Sequence, residues 1–447
     1  MLIAGLGHVH GGGLAVLRDN TLEFAIPFDG HGDTAQAAAV LGEHGYDRLD
    51  AWAVSRADDH PPTAAQVAAA YCTSPFALRG EPALVVAWNR GGAPLLHHAA
   101  AGGRVEARGA LLPQASGRLA DGLSDAEVGV PAAGAAAEEL TKALHNLFRT
   151  HLDAAADPAV FLDDLRAEAA RLGEDPGVVG AAAVGLLAHL VADQFGDEPV
   201  NLCFTGDLAA DPRWATALRR HPRVAAIWIP PFPGESGVAV GAAALHLFRS
   251  GGLRPLRWTR RCGPLPFRHS HVPDGWSMMP CRPEELARVM HRTGQISAIV
   301  TGRADLGPET LGSRAVIAPA TGAGRLDRWG PVTMLCPLSQ LDRIAEPGEP
   351  DPYAQFRHHL RAEWAERLAW RSAPDGTTLL RTVSDEDDPV LATILAEYAV
   401  WTGTPVLAGA SAGYADAVAA MCSGDVDLVW SDQVLYRRIS GNGEEVR

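Results

Sequence analysis

The stretch that organises the chain reads Thr301-Gly-Arg-Ala-Asp-Leu-Gly-Pro-Glu-Thr-Leu-Gly-Ser-Arg-Ala-Val-Ile-Ala318. Its glycines are spaced five residues apart, at 302, 307 and 312. A Gly-Pro pair continues neither a helix nor a central strand, so the stretch predicts a tight loop that ends in an apolar strand. Glycines let backbone amides approach a ligand closely, and Arg303 and Arg314 flank the loop with side chains suited to phosphate or carboxylate. The pattern indicates an anion-binding loop; the alternative is an ordinary connection between a helix and a strand.

Composition limits the class of protein. The chain has 447 residues, of which 47% are hydrophobic and 20% charged, and this suits two or three globular domains. The net charge of −15 argues against nucleic acid as a partner. The six cysteines form no CxxC pair, which indicates a reducing compartment and argues against a thiolate zinc site. We see no apolar run of about 18 residues and no basic N-terminal segment, and therefore expect a cytoplasmic protein with no signal peptide and no membrane partner.

The N-terminal residues predict a hairpin. Apolar strands are expected at 2–6 and 13–18, on either side of a glycine-rich turn, and a further turn precedes a strand at 22–26. Sugar-kinase and actin-like ATPases also begin with a glycine-rich turn between two strands. His10 lies in this turn, where a histidine acts as a general base or substrate contact, or only completes the turn.

Three polar residues, Asp29, His31 and Asp33, alternate along the next segment. On a strand they would share one face, and that face would suit a hard metal ion or a polar substrate. In a loop the same side chains would be solvated, which is the simpler of the two interpretations.

Hydrophobic periodicity predicts helices and strands through the rest of the chain. Helices are expected at 64–71, 135–151, 158–172, 175–195, 282–292, 354–370 and 389–402. Strands are expected at 83–88, 199–204, 224–229, 295–300, 376–383 and 426–430. Residues 93–135 show weak periodicity, and residues 250–280 are rich in Gly, Pro and Arg, which indicates a domain junction.

The stretch 301–318 resembles the signature of the nodulation-type O-carbamoyltransferases, the family that tailors antibiotics and nodulation factors. Family members read roughly G-R-M-E-F-G-P-R-A-L-G-x-R-S-I-L-A, and the chain keeps the glycines, the Gly-Pro pair and the flanking arginines. Asp305 replaces the glutamate, and Glu309 stands where the family has an arginine after Gly-Pro. Residues 230–243 match the family's P-P-x-x-G-D-x-G-x-A-x-G-A-A, with Glu235 in place of an aspartate that is a metal ligand. The resemblance runs in order through nearly the whole chain.

This resemblance implies an α/β protein of two domains. Residues 1–250 are expected to form an actin/hexokinase-like (ASKHA) carbamoyltransferase N-terminal domain. Residues 251–280 form the linker, and residues 281–447 a YrdC-like carbamoyltransferase C-terminal domain. In active relatives the C-terminal domain makes carbamoyl adenylate from ATP and carbamoyl phosphate. The N-terminal domain, with its metal, passes the carbamoyl group to a hydroxyl.

The resemblance also implies site residues. His10 matches the family histidine near the N-terminus, and Glu235 is the second residue expected to act in catalysis. ATP or carbamoyl phosphate is expected at a set of residues from both halves, namely Arg303, Gly307, Glu309, Gly312, Arg314, Gly206, Asp207 and Gly237. Asp207 replaces a glycine in a loop that faces phosphate in relatives. Two like unit charges about 4 Å apart at an effective dielectric of about 20 repel by about 4 kcal/mol.

Several ligating residues of the family are replaced in this chain. The two helix histidines that hold its metal fall on Pro62 or Thr63 and on Gln66, and the following Asp-Gly falls near Asn89-Arg90. A lysine-containing loop and both asparagines of the family's N-T-S-F-N segment are also missing. We therefore expect the family's iron site to be lost and no metal to bind there.

Two functions remain open at this point. The first is a carbamoyltransferase of natural-product biosynthesis, which transfers a carbamoyl or related acyl group from the adenylate to a small-molecule acceptor. The second is a catalytically degenerate family member that serves as a scaffold or as the partner subunit of an active paralogue. The protein could form a homodimer or a heterodimer with such a paralogue.

Overall fold

The computed structural model describes residues 1–7, 12–28, 33–56, 62–125, 136–153, 157–267, 272–306, 312–368 and 377–439. These residues divide into two compact units, residues 1–259 and the residues from 260 onward. The assignment of separate domains to 1–250 and 281–447 stays a prediction. Both units combine helices with strands, so the predicted α/β class is confirmed.

The first unit places its strands in two sheets. The strands are β1 (Leu2–Gly7), β2 (Gly13–Arg18), β3 (Thr21–Pro27), β4 (Ala51–Ser55), β5 (Ala83–Ala87), β6 (Leu95–Ala99), β7 (Val105–Ala110), β8 (Val200–Thr205) and β9 (Val224–Trp228). The helices are α1 (Thr34–Glu43), α2 (Pro62–Cys72), α3 (Pro75–Arg79), α4 (Ala115–Asp125), α5 (Ala136–Asp153), α6 (Pro158–Leu172), α7 (Pro176–Ala192), α8 (Pro212–Arg219) and α9 (Glu235–Leu247).

The order of strands is β3-β2-β1-β4 in the first sheet and β7-β6-β5-β8-β9 in the second. β1 pairs antiparallel with β2, from Leu2 opposite Arg18 to Leu6 opposite Leu14, so the predicted opening hairpin is confirmed. In the second sheet β5, β8 and β9 run parallel, and β6 and β7 extend it by antiparallel pairing.

Helices α2 and α9 lie between the two sheets of the first unit. α9 packs against β1 and β2, α2 packs against β5, and the two helices pack against each other. A Cβ atom on Gly241 of α9 would lie 1.7 Å from the carbonyl oxygen of Ala65 in α2, so a larger residue cannot fit there. Thr205, at the end of β8, donates from Oγ1 to the carbonyl oxygen of Pro233 at 2.7 Å. This bond holds the start of α9 close to the end of β8.

Helix α7 and the residues after it are more apolar than the sequence analysis allowed. The 18 residues Val178–Phe195 have a mean hydropathy of 1.6, so the statement that the chain contains no such apolar run is wrong. Half of this segment is buried, and α7 packs against α5, α6 and α8 within the first unit. An apolar helix that packs against several neighbouring helices is also typical of a protein core.

The second unit is built on one mixed sheet. Its strands are β10 (Trp276–Pro280), β11 (Ser297–Val300), β12 (Arg314–Pro319), β13 (Thr333–Pro337), β14 (Arg357–His359), β15 (Thr377–Val383), β16 (Leu407–Ser411), β17 (Leu428–Ser431) and β18 (Val434–Arg438), in the order β10-β18-β17-β11-β12-β16-β13-β15-β14. Its α-helices are α10 (Pro283–Thr293), α11 (Leu341–Ile344), α12 (Ala362–Arg367), α13 (Pro389–Thr402) and α14 (Ala417–Cys422).

Both faces of this sheet are covered. Leu286 of α10 and Leu395 of α13 pack with Ile299 on one face. Trp364 of α12 and Met421 of α14 belong to the core on the other face. A sheet buried on both faces explains why its strands read as continuous apolar runs in the sequence.

The stretch that organises the chain joins two antiparallel strands of this sheet. β11 pairs with β12, and Val300 lies opposite Arg314, so residues 301–313 form the connection between them. The alternative interpretation, a connection between a helix and a strand, is therefore wrong.

The helix predicted over 354–370 is also wrong. β14 occupies part of this segment and pairs with β15, with Arg357 opposite Leu379, and only the short α12 follows. His358 is buried, and its Nε2 lies 3.2 Å from Oδ2 of Asp351. Strand pairing and this buried contact outweigh the helical periodicity of the segment.

Candidate functional site

Glu235 is the first residue of α9 in the first unit. Its Oε2 is buried and has no hydrogen-bond partner among the residues that the structure describes. Burial raises the pKa of Glu235 to about 7, with the negative charge of Asp207 as the second cause. Near neutral pH this carboxyl group can therefore accept or donate a proton.

Asp207 follows β8 and begins the short 3-10 helix Asp207–Ala210. Its Oδ2 accepts a hydrogen bond from the backbone N–H of Arg90 at 3.1 Å. Its own backbone N–H donates to Oδ1 of Asn89 at 3.3 Å. The turn after β5 thus holds Asp207, the residue for which the sequence predicts repulsion of phosphate.

Gln66 and Asn89 form a reciprocal amide pair. Gln66 donates from Nε2 to Oδ1 of Asn89 at 3.0 Å, and Asn89 donates from Nδ2 to Oε1 of Gln66 at 2.8 Å. The side chain of Gln66, in α2, is buried. The pair links α2 to the turn after β5, and Asn89 extends the link to Asp207.

The residues at this position do not fit the family's iron. Gln66 and Asn89 stand where ligands are expected, and their amide groups are satisfied by each other. No group of three or more His, Cys, Asp and Glu side chains that could hold a metal occurs in the described parts of the chain. Iron and zinc sites in proteins are built from imidazole, thiolate and carboxylate ligands. Of the four described side chains Gln66, Asn89, Asp207 and Glu235, only the last two carry such a group.

Two glycines predicted to face phosphate make close backbone contacts instead. A Cβ atom on Gly206 would lie 2.5 Å from the carbonyl oxygen of Trp88, and one on Gly237 would lie 2.3 Å from that of Phe232. These contacts explain why a larger residue does not fit at either position. Phosphate binding by the two glycines stays a prediction.

In the second unit, Asp305 and Ser313 close the loop 301–313 at its base. Ser313 donates to Oδ2 of Asp305 from Oγ at 2.7 Å and from its backbone N–H at 3.2 Å. The backbone N–H of Asp305 donates in return to Oγ of Ser313 at 3.1 Å. Both residues are buried, so the loop leaves the sheet from a fixed base.

The guanidinium group of Arg314 donates hydrogen bonds to backbone carbonyl groups of the loop. Its Nη1 donates to the carbonyl oxygens of Thr301 at 2.8 Å and Ser313 at 2.7 Å, and its Nη2 donates to that of Gly302 at 3.0 Å. Burial lowers the pKa of this guanidinium group. Arg303 is half-buried and donates from Nη1 to the carbonyl oxygen of Gly263 at 3.0 Å. The two predicted anion-binding arginines thus also fix the backbone around them.

Gly312 ends the loop in a left-handed conformation, with φ of 117°. A Cβ atom there would lie 2.2 Å from Oδ2 of Asp388, the N-cap residue of α13. Asp388 directly precedes the predicted helix 389–402, but no local sequence pattern shows that it approaches the loop.

A cavity of about 380 Å³ lies beside the start of the loop. Asp432 forms part of its wall and accepts a hydrogen bond at 3.0 Å from Oγ1 of Thr301. The lining residues are mostly apolar: Pro266, Phe267, Val272, Ala417, Val418, Met421, Ser431, Asp432, Val434 and Tyr436. The second unit therefore offers a cavity with both polar and apolar walls next to a glycine-rich loop.

Several predicted site residues fall outside the described parts of the chain. They are His10, Gly307 and Glu309, together with Asp29 and His31 of the alternating segment. Asp33 is described: it caps helix α1, and its Oδ1 accepts from the backbone N–H of Ala35 at 2.8 Å. This contact gives Asp33 a structural role at a helix start.

Comparison with known proteins covers both units. Residues 140–244 match the carbamoyltransferase N-terminus and residues 287–436 match the carbamoyltransferase C-terminus. Nodulation protein U of Sinorhizobium fredii is 30% identical over 438 residues, which are 85% of this chain and 78% of the relative. The protein of the same name from Rhizobium tropici is 29% identical over 435 residues, 85% of this chain and 75% of the relative.

A more distant relative comes from antibiotic biosynthesis. The 3'-hydroxymethylcephem-O-carbamoyltransferase of Streptomyces clavuligerus is 25% identical over 250 residues, which are 52% of this chain and 47% of the relative. Together with the match to nodulation protein U, these similarities confirm the resemblance drawn from the loop signature: the chain belongs to the carbamoyltransferase family.

Proposed function

We propose that the protein transfers a carbamoyl group, or a related acyl group, to a small-molecule acceptor of natural-product biosynthesis. ATP and carbamoyl phosphate are the proposed substrates. Hydrolysis of carbamoyl phosphate releases phosphate and leaves carbamate, whose oxygen displaces pyrophosphate from ATP to form the carbamoyl adenylate. AMP leaves when the acceptor hydroxyl takes the carbamoyl group. The proposal also assigns an actin/hexokinase-like fold to the first unit and a YrdC-like fold to the second, in a cytoplasmic protein.

One observation carries this proposal: the loop 301–313 keeps its closed base beside a cavity that has both polar and apolar walls. Asp305 and Ser313 hold the base, and the cavity of about 380 Å³ has Asp432 in its wall. A nucleotide combines phosphate groups with a flat, largely apolar base, and such a ligand suits a glycine-rich loop next to a cavity. The relatives named for O-carbamoylation support the choice of reaction.

Acceptor activation is assigned to the first unit without a metal. An acceptor hydroxyl must lose its proton as it attacks the carbamoyl carbon. Glu235, with a pKa near 7 and an oxygen that has no partner in the described chain, suits a general base. His10 remains the second candidate for this proton transfer.

The test is pyrophosphate release. Purified protein should release pyrophosphate from ATP with Mg²⁺ only when carbamoyl phosphate is present, and iron should not be needed. Arg303→Ala should lower the rate at least tenfold because the loop loses a cation that suits phosphate. Arg288→Ala, at a partly exposed ion pair with Glu397 in the same unit, is the matched control and should leave the rate unchanged. A wild type that releases no pyrophosphate would contradict the proposal.

The second candidate is a degenerate partner of an active paralogue. The Gln66–Asn89 pair favours it, because this pair occupies the position of the family's metal ligands. Such a protein would bind no ATP, and Glu309→Arg would restore little. If the chain is an enzyme instead, Glu309→Arg should tighten ATP binding at least tenfold, because one charge-assisted hydrogen bond replaces a repulsion. Calorimetric titration of ATP into both proteins separates the two candidates.

A further inference from the structure

Three arginines of the second unit meet at one carboxylate. Arg260, Arg261 and Arg381 each place Nη2 near the carboxylate of Asp388, at 3.1, 2.7 and 3.4 Å respectively. Asp305 adds a second carboxylate, with Oδ1 3.3 Å from Nε of Arg260. None of the three arginines belongs to the family signature or to the residues assigned above.

This arrangement extends to both ends of the loop 301–313. Asp305 belongs to its base, and Asp388 contacts the position of Gly312 at its end. The arginines come from the start of the unit and from β15. The cluster therefore brings positive charge to the loop from residues that are distant in the sequence.

Arg381 is the most deeply buried arginine of the cluster. It is 1% exposed; its Nε donates to the carbonyl oxygen of Pro352 at 3.1 Å, whereas Nη1 is buried without a hydrogen-bond partner in the described chain. A buried donor on a charged group is unfavourable when it lacks a hydrogen-bond partner. Nη1 lies 3.5 Å from the place that a Cβ atom on Gly312 would take, so this donor is next to the end of the loop.

Electrostatics agree with this geometry. Burial and, after it, the nearby charge of Arg260 lower the pKa of Arg381 to about 10, although Asp388 and Asp305 act in the opposite direction. Guanidinium groups crowded in this way gain from an anion that accepts their remaining N–H bonds. The side chain of Arg261 is 24% exposed, which gives the cluster an edge open to solvent.

We propose that Arg381, with Arg260 and Arg261, forms an oxyanion site at the end of the loop for a phosphate group. Asp388 and Asp305 hold the guanidinium groups in position, and the N–H groups of Arg381 bind the anion. The site adds to Arg303 and Arg314, whose hydrogen bonds to carbonyl groups fix the loop backbone. It concerns anion binding alone and does not depend on the proposed transfer reaction.

The test titrates inorganic phosphate into the full-length protein by calorimetry at constant ionic strength. The wild type should bind phosphate, and Arg381→Gln should weaken binding at least tenfold. Arg288→Gln, a change at a partly exposed arginine, is the matched control and should bind as the wild type does. Titrations with carbamoyl phosphate and with ATP in place of phosphate then show which source carries the group.

Because Arg381 is buried, its substitution can unfold the protein. Arg261→Gln therefore serves as the second variant. Its side chain is more exposed, and the change should weaken phosphate binding several-fold in a protein with an unaltered circular dichroism spectrum. Absence of phosphate binding in the wild type would overturn the proposal. So would equal affinity in the wild type and in either cluster variant. A wild type that binds phosphate but releases no pyrophosphate from ATP would instead count against the proposed function.

Discussion

The site of the first unit and the loop of the second are held by different kinds of interaction. In the first unit, the neutral amides of Gln66 and Asn89 satisfy each other. In the second, Asp388 is buried among three guanidinium groups. Changing one member of the amide pair leaves no unpaired charge. Removing the carboxylate from the buried ionic cluster leaves guanidinium groups without a counter-charge. The same isosteric change should therefore have very different effects in the two regions.

The largest effect is expected for Asp388→Asn. The change removes the charge shared by Arg260, Arg261 and Arg381, so the free energy of unfolding of the second unit should fall by about 3–5 kcal/mol. Asp207→Asn is the matched change in the first unit and should cost less than about 1 kcal/mol, because it also relieves the repulsion on Glu235. Urea unfolding followed by tryptophan fluorescence measures both. Equal losses of unfolding free energy in the two variants would show that the two regions do not differ in this way.

Gly312→Ala should destabilise the second unit by about 2–4 kcal/mol, since the added methyl group meets Asp388 and the backbone is left-handed. Gly302→Ala measures only the cost of placing a side chain on a backbone with positive φ. Gly302 also has positive φ, at 54°, but a Cβ atom there meets nothing within 4 Å. Gly302→Ala should therefore lower the free energy of unfolding by only about 1 kcal/mol. If thermal unfolding shows the two variants to be alike, the contact with Asp388 has no energetic weight.

Breaking the amide pair should have a moderate effect. Gln66→Ala or Asn89→Ala leaves the partner amide unsatisfied, at a cost of about 1–3 kcal/mol in each single variant. The double variant should cost less than the sum of the two, with a coupling energy of about 1 kcal/mol. Chemical unfolding of the four proteins gives this coupling directly. Strict additivity would show that the two side chains do not stabilise each other.

The smallest effect concerns pH. The pKa of Glu235 is raised to about 7 in the folded protein from 4.5, so the folded state binds more protons between these values. Stability should therefore be highest below about pH 4.5 as far as this group is concerned, and should fall as pH rises towards 7 and beyond. Because Glu235 is only partly buried, we expect a change on the order of 1 kcal/mol.

Glu235→Gln should abolish this part of the pH dependence. Urea unfolding at pH 5 and pH 8 compares the variant with the wild type. A control variant at an exposed carboxylate, Asp163→Asn, should keep the slope of the wild type. An unchanged slope in Glu235→Gln would assign the pH dependence to other groups.

Much of the fold could be predicted from periodicity. The opening hairpin appears as expected because its strands are short apolar runs bounded by turn residues. The helix 389–402 appears as expected because its buried residues recur at helical spacing. The segment 354–370 could not be predicted in this way. The pairing of β14 with β15 and the burial of His358 against Asp351 depend on residues that periodicity does not bring together.

The residues of the candidate site could be predicted better than their contacts. The loop and its glycines could be recognised because tight turns require particular residues at fixed spacing. The contact of Arg260 with Asp388 joins residues 128 positions apart, and the hydrogen bond of Asp207 to Asn89 joins residues 118 apart. No local pattern records such contacts, so the arginine cluster was missed, and the residues of the first unit were named without the hydrogen bonds that join them.

The Gln66–Asn89 pair has a consequence for the life of the protein in the cell. Two amides need no ion to join α2 to the neighbouring turn, so this part of the first unit folds directly from the chain. No ion takes part in this contact, so chelators or peroxide, which remove or oxidise ferrous iron, would leave the contact between α2 and the turn in place.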